Sequence, residues 1–403
     1  MNPQTTPAAT PPDTAFATPW GTFELTRFPE DPRERLRAWD AADEYLLRHL
    51  AGEADSAAGA ATGLAGRTVA VLGDRWGALT TALADHRPFQ ITDSHLGRRA
   101  TLANLARAGA AVDESRLLTT RDTPPERIDV LLVRVPKSLA LLEDQLHRLA
   151  PALHEDTVVI GTGMVTEIHT STLRLFERIL GPTRTSLAAR KARLIFCTPD
   201  RALDPGPNPW PHRYALPPDI GPVSGRTVVN HAGTFCADRL DIGTRFLLAH
   251  LPVPAPGARV VDLGCGNGVV GTAAALAGPG AELVFVDESH QAVASAEETF
   301  RTNLGPDAAA EFLTADALAA DAVAPGSVDL VLNNPPFHSH QATTDATARR
   351  MFTGAKRALR PGGELWVVGN RHLGYHVKLR RLFGNCQLVA GNPKFVVLRA
   401  VKR

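Results

Sequence analysis

The sequence predicts an α/β chain of two tandem Rossmann-like domains, a duplication in which the N-terminal copy has degenerated. Three observations carry this. Short apolar runs alternate with helix-patterned segments in both halves, as parallel strands covered by helices require. In each half one such run enters a glycine turn and then a helix: Val69-Ala70-Val71-Leu72-Gly73 in the first, Val260-Val261-Asp262-Leu263-Gly264 in the second. Later landmarks then recur in the same order. Phe89-Gln90-Ile91-Thr92-Asp93-Ser94 parallels Phe285-Val286-Asp287-Glu288-Ser289, residues 129–136 parallel 329–336, and residues 156–161 parallel 364–369. Recurrence in this order is the mark of an internal repeat, and 403 residues exceed the usual size of one domain.

Taken in order, residues 1–20 are rich in Pro, Thr and Ala and are expected to form a disordered tail. Residues 21–200 form the first domain. It opens with a short strand over 23–28 and a helix over 37–47, and a small-residue loop spans 51–65. Its glycine turn keeps Gly73 and Gly77 but is filled by Arg75 and Trp76. Residues 201–224, dense in Pro and Gly, read as a linker, and residues 225–403 form the second domain. There a helix opens near Leu240–Leu247, and a second follows the glycine turn over Val269–Ala277. Strands are expected over 283–287, 328–332 and 364–368, a helix over 345–359, a basic helix over 375–383 and a terminal strand over 395–401. Both sheets are expected to be of the parallel type.

The chemistry concentrates in the second domain. In Asn334-Pro335-Pro336-Phe337 the two prolines end the strand and stiffen the next few residues. This leaves a carboxamide at the carboxyl end of a strand, the edge where open α/β sheets bind ligands. An amide oxygen and a proline carbonyl suit the two hydrogens of an exocyclic amine, and Phe337 supplies a face for a flat base. Upstream, Gly266-x-Gly268-x-x-Gly271 fits a dinucleotide fingerprint. Asp262-x-Gly264-x-Gly266-Asn267-Gly268 equally fits the form used for S-adenosyl-L-methionine (SAM). Asp287, at the end of the next strand, suits the ribose hydroxyls, and Asp316 suits the adenine amine. A nicotinamide enzyme has no use for the Asn-Pro-Pro-Phe stretch, so the order of all four favours a SAM-dependent methyltransferase. Thr244 or Asp241, at the start of the approaching helix, is a candidate for the amino-acid end of SAM.

The formal net charge is +1, which gives no global pull toward nucleic acid. Its distribution is uneven: residues 341–403 hold 13 Lys and Arg against 2 acidic residues. The 4 cysteines are far apart, without metal spacing, and read as reduced thiols of a cytoplasmic protein. No metal is expected. No secretory signal and no apolar run of membrane-crossing length is found.

The chain resembles the ribosomal RNA large subunit methyltransferase G family, guanine-N2 methyltransferases of 23S rRNA. The small-subunit methyltransferase C enzymes are relatives of that family. The residues that carry the resemblance are Asn334-Pro335-Pro336-Phe337-His338 with Gln341, Asn370-Arg371-His372-Leu373, Phe383-Gly384-Asn385-Cys386 and Lys394–Leu398, with Asn230-His231-Ala232. In the first half they are Ala38–Glu44, Val135–Leu142 and Ile168–Leu173. The resemblance implies N2-methylguanosine formation in 23S rRNA or its assembly precursor, with SAM as cofactor. In the first domain Arg75 and Trp76 block the glycine turn, and Arg134-Val135-Pro136-Lys137 replaces the Asn and its aromatic. That domain is therefore expected to have lost catalysis and to position RNA, with Arg121, Arg127, Arg134 and Lys137 as candidate phosphate contacts. A role only in stabilising the second domain is the alternative. The motifs alone leave 16S rRNA guanine, adenine N6 and protein glutamine open as substrates. A non-catalytic RNA-binding scaffold is the alternative outside catalysis, and the intact second motif set argues against it.

Overall fold

Central strands that are largely buried on both faces, followed by helices that carry the chain back, build a sheet in each half of the chain. The computed structural model of the protein describes residues 13–31, 34–53, 61–319, 322–336 and 341–403. The chain divides after Asn208 into two units. In the first, β1 (Ala15–Thr18) and β2 (Gly21–Glu24) form a hairpin. Then come α1 (Ala41–Leu50), β3 (Val69–Leu72), α2 (Ala78–Ala82), β4 (Phe89–Thr92), α3 (His95–Arg107) and β5 (Leu117–Thr119). They are followed by β6 (Ile128–Arg134), α4 (Leu139–Leu149), β7 (Leu153–Met164), α5 (Thr170–Ile179), β8 (Thr183–Thr185) and β9 (Ala192–Cys197).

The second unit opens with a hairpin of β10 (His212–Ala215) and β11 (Thr227–Asn230). It continues with α6 (Ile242–Leu248), β12 (Arg259–Leu263), α7 (Val269–Ala277), β13 (Glu282–Asp287), α8 (His290–Leu304) and β14 (Glu311–Thr314). Last are β15 (Val328–Asn333), α9 (Gln341–Ala358), β16 (Leu359–Asn370), α10 (Tyr375–Phe383), β17 (Gln387–Gly391) and β18 (Phe395–Val401). The two 7-stranded sheets have the orders β5-β4-β3-β6-β7-β9-β8 and β14-β13-β12-β15-β16-β18-β17, one order used twice. The duplication read from the sequence is therefore present as topology.

The expectation of parallel-type sheets needs correction at one edge. β18 pairs antiparallel with both β16 and β17, and β9 does the same with β7 and β8. Only a short connection precedes β9 and β18, and parallel pairing would need a crossover. Elsewhere side chains alternate between faces, as strand geometry requires. Val260, Leu283, Phe285, Leu330 and Leu332 pack on one side of the second sheet. Val261, Leu263, Val284, Val286 and Val331 pack on the other.

Two boundaries also differ. The stretch expected to be a tail already contains β1, because Phe16 is buried against Trp39, with ring centroids 4.8 Å apart. Residues 1–12 lie outside the described residues, as do 54–60 of the expected loop. The stretch read as a linker contains β10 and buries Val223, so its latter part belongs to the second unit. The other edge of β11 is closed by a polar stripe on α8. Ser295 Oγ accepts from His231 N (2.9 Å), and Thr299 Oγ1 from Val229 N (3.0 Å). Asn303 bridges Thr227, accepting from its N at 3.2 Å and donating to its O at 2.7 Å. One helical face thus satisfies a strand edge that would otherwise be left unpaired.

The first unit's counterpart of the Asn-Pro-Pro position is closed by charge. Leu72 pairs with Val133 as Leu263 pairs with Asn333, so Arg134 stands where Asn334 stands. Arg134 is 1% exposed and meets Asp40 (2.6 Å), Glu167 (2.9 Å) and Asp43 (3.3 Å). Arg75, in the register place of Gly266, adds a 2.6 Å pair with Glu167. Burial pushes the Glu167 carboxyl up, but the Arg75 and Arg134 guanidiniums outweigh it and hold it at about 2. Arg134 is thus not available to a phosphate, contrary to expectation. A guanidinium inside a ring of carboxylates gains more from them than from solvent. Removing one member of such a buried set leaves the others unpaired, at about 3–5 kcal/mol. Arg134→Ala is expected to destabilise the first unit by about that amount at neutral pH. Urea unfolding followed by amide exchange in α1 and β6 checks this; an unchanged midpoint would show that the cluster is neutral.

Candidate active site

The second sheet's strand order reverses between β12 and β15, which opens a crevice at their carboxyl ends. Leu263 ends β12 and the chain turns through Gly264, Gly266 and Gly268, with φ of 69°, 52° and 74°. These glycines do different work. A Cβ on Gly268 would stand 2.6 Å from Ala296 Cα, so that glycine lets α7 pack on α8. A Cβ on Gly264 would stand 2.8 Å from Met351 Cε. A Cβ on Gly266 would meet nothing within 4 Å. Its glycine serves the left-handed backbone and leaves that backbone bare at the crevice.

The acids are equally divided. Asp262 is 3% exposed, and its Oδ2 accepts from Gly271 N at 2.8 Å. It therefore ties β12 to α7 from behind the loop. Burial pushes its carboxyl up to about 8, opposed by the Gly271 N–H and assisted by the charge of Asp287. Asp287 is half-buried at the end of β13. Its Oδ2 accepts from Gly266 N (3.0 Å) and its Oδ1 from Ser289 N (3.1 Å). Burial raises its pKa, and these amides oppose the rise. By register its counterpart in the first unit is Thr92, since Ile91 and Val286 occupy matching places, so the acid is absent there. Ala315 N donates to Asp287 O (2.9 Å), which brings Asp316 to the same edge. Asp316 lies 3.4 Å from the guanidinium of Arg350 on α9, a partner that no sequence spacing announced. Asn267 turns its Nδ2 to Asn230 Oδ1 (3.0 Å), so its side chain anchors the glycine loop to β11.

At the end of β15, buried Asn333 donates from Nδ2 to Leu263 O at 2.7 Å and clamps the two strand ends together. Half-buried Asn334 comes next. Its Nδ2 donates to Thr244 Oγ1 at 2.9 Å, while its Oδ1 is buried without a hydrogen-bond partner among the described residues. Pro335 is buried and Pro336 exposed. Phe337 and His338 lie outside the described residues. Thr244, a candidate for the amino-acid end of the cofactor, has its hydroxyl committed to Asn334 and, at 3.3 Å, to Asp241 Oδ2. The arrangement combines bare backbone at Gly266, a carboxylate at the neighbouring strand end and an unsatisfied buried acceptor. It fits SAM beside an amine substrate. Among the described residues no group of three His, Cys, Asp or Glu is arranged to hold a metal ion, and no helix is long and apolar enough to cross a membrane.

Comparison with known proteins finds one family in each half of the chain. Residues 13–201 match the RLMG N-terminal domain family and residues 225–399 the Methyltransferase small domain family. The chain is 73% identical to the Streptomyces avermitilis ribosomal RNA large subunit methyltransferase G, over 96% of this chain and 99% of that one. It is 48% identical to the protein of that name from Pseudomonas paraeruginosa, with the same coverage of 96% and 99%. Among solved structures, the T. thermophilus 16S rRNA N2 methyltransferase in complex with AdoMet and guanosine shares the fold, with a TM-score of 0.72. That match has 22% identity and covers 97% of this chain and 98% of that one.

Two outcomes are expected. A buried carboxyl raised to about 8 keeps a proton that the unfolded chain has released, so its contribution to stability falls as pH rises from about 4 through about 8. Asp262→Asn keeps an oxygen for Gly271 N–H. Its melting temperature without ligand should therefore gain on the wild type as pH is raised; a constant difference would contradict the buried carboxyl. Asp287→Ala should weaken SAM binding at least about ten-fold in calorimetry, the loss expected for one charged hydrogen-bonding partner. Unchanged affinity in a folded variant would take Asp287 out of the site.

Proposed function

The chain belongs to the ribosomal RNA large subunit methyltransferase G family, and from that premise we propose that it methylates the exocyclic N2 amine of a guanine in 23S rRNA, in the cytoplasm. The observation that carries this reading is Asn334 Oδ1, a buried acceptor without a partner among the described residues, beside the glycine turn. A guanine amine is a poor nucleophile because its lone pair is delocalised into the ring. When its two hydrogens are accepted by Asn334 Oδ1 and by a carbonyl of the Pro335-Pro336 pair, the lone pair is drawn out of conjugation. SAM, when bound, supplies the electrophilic methyl group. The chain's own residues supply position, from which much of the rate enhancement comes.

In this proposal Asp287 accepts from the ribose hydroxyls of SAM, the backbone of Gly264, Gly266 and Gly268 approaches the cofactor, and Asp316 meets the adenine amine. Asp262 and Asn267 act from behind, holding the loop in shape. Asn334 holds the substrate amine, which loses its surplus proton to water after transfer. Phe337 is assigned the stacking face. Extracting the base from a helix costs a few kcal/mol, against about 1–3 kcal/mol returned by stacking.

RNA contact falls on part of the basic C-terminal stretch only. Lys356 donates to Leu382 O (2.6 Å) and Arg371 to Asn392 O (2.8 Å); Arg357 and Lys402 likewise reach main-chain carbonyls. These four stabilise the fold. Arg349, Arg380, Arg381 and Lys394 remain exposed and are the proposed phosphate contacts, giving salt-sensitive binding. In the first unit Arg121, Arg127 and Lys137 keep that proposed role, although Arg127 also pairs with Asp129 at 3.1 Å.

Asn334→Ala is expected to abolish methyl transfer while SAM still binds; near-normal turnover would refute the proposed chemistry. Mass spectrometry of digested RNA, with 23S and 16S rRNA offered separately, is expected to find N2-methylguanosine in the 23S sample. Methylation of 16S rRNA, adenine N6 or protein alone would overturn the substrate assignment.

A further inference from the structure

Asn334 can act on an amine only if its amide presents oxygen, and a carboxamide has two orientations of nearly the same shape. Three features of the structure select one. Thr244 Oγ1 has a single proton, and Asp241 Oδ2, 3.3 Å away, accepts it. Asp241 Oδ2 is itself held in place by accepting from Thr244 N at 2.8 Å, as the N-cap of α6. With its proton committed, Thr244 Oγ1 offers only a lone pair to Asn334, and the atom 2.9 Å away must be the donor, Nδ2. In the opposite orientation Asn334 Oδ1 would compete with Asp241 for that one proton. The NH2 group would then point at the substrate's own N–H groups.

We infer that Thr244, backed by Asp241, is a positioning residue that fixes the Asn334 amide with its oxygen toward the substrate amine. The inference rests on the proposed role of Asn334 and adds a specific orienting partner, 90 residues away in sequence. The first unit provides a second observation. There the N-cap of α1 is Asp40 and the third helical residue is Asp43, in the places of Asp241 and Thr244. Both reach Arg134, which stands in the place of Asn334. The fold therefore brings this helix start against this strand end in both units. Aspartates and arginine turn the contact into a closed ion cluster. Threonine and asparagine turn it into a directed hydrogen bond with one acceptor left over.

The test compares Thr244→Val, Thr244→Ser and Asn334→Ala in the full chain, with SAM and unmodified 23S rRNA. Thr244→Val retains the shape and loses the hydroxyl. It should keep the wild-type SAM affinity in calorimetry and the KM for RNA, while kcat falls about ten- to hundred-fold, the loss expected of a misplaced reacting group. Thr244→Ser restores the hydroxyl and should recover most of kcat. If Thr244→Val folds poorly, Thr244→Ala carries the same expectation. A wild-type kcat in the Val or Ala variant, with Asn334→Ala inactive, overturns the orienting role and leaves Asn334 in place. Loss of SAM affinity with kcat unchanged at saturation instead makes Thr244 a cofactor contact, and overturns it as well. An active Asn334→Ala removes the catalytic reading on which the inference stands.

Discussion

Parallel pairing of β12 with β15 puts Leu263 opposite Asn333 at the point where the strand order of the sheet reverses. The chain beyond each strand end has no neighbouring strand to join there, so the Gly264–Gly268 turn and the Asn334-Pro335-Pro336 stretch share one crevice. Asn333 enforces the register with its hydrogen bond to Leu263 O. A shift of one residue would exchange the faces of every side chain in β15, taking Val331 out of one core and Leu332 out of the other. The position of the Asn334 amide is thus secured by the burial of both sheet faces.

The same register operates in the first unit with a different result. Arg134 comes after Val133 there, and three carboxylates converge on it. The turn that would face it carries Arg75 in place of Gly266, and Thr92 replaces the acid at the end of the neighbouring strand. The crevice is filled by compensated charge. In the second unit Asn334 Oδ1, an uncharged acceptor, has no partner among the described residues, a local cost of the kind that functional sites carry. Even the support of the helix after the turn, α2 or α7, is rebuilt. Asp74 Oδ2 accepts from Thr80 N (2.8 Å) in the first unit, as Asp262 accepts from Gly271 N in the second, although the two aspartates stand at different positions of strand and turn.

Charge counted along the chain and charge offered to a partner also differ. The basic surplus of residues 341–403 is real as composition, but Lys356, Arg357, Arg371 and Lys402 donate to main-chain carbonyls. A long cationic side chain near a strand or helix end finds a main-chain carbonyl within its reach, and that bond commits part of its donor capacity to the fold.

Read alone, the sequence determined most of the architecture. Apolar runs set the strands, glycine turns set the helices that follow them, and the recurrence of landmarks set the duplication. These signals are local, because helix and strand periods are written in neighbouring residues. The identities at the strand ends, Asp287, Asp316 and Asn334, were legible for the same reason. The strands Ala15–Thr18 and His212–Ala215 were not, since Pro- and Ala-rich composition hides a strand whose burial depends on distant residues such as Trp39. Tertiary structure alone decided which way each polar side chain turns. It set Asp262 behind the loop, Asn267 toward Asn230, Asp316 beside Arg350, and Thr244 on Asn334. A donor or acceptor is satisfied by whatever lies within about 3 Å of it, and neighbours at that range come from strand register and helix packing, which bring together residues far apart in sequence.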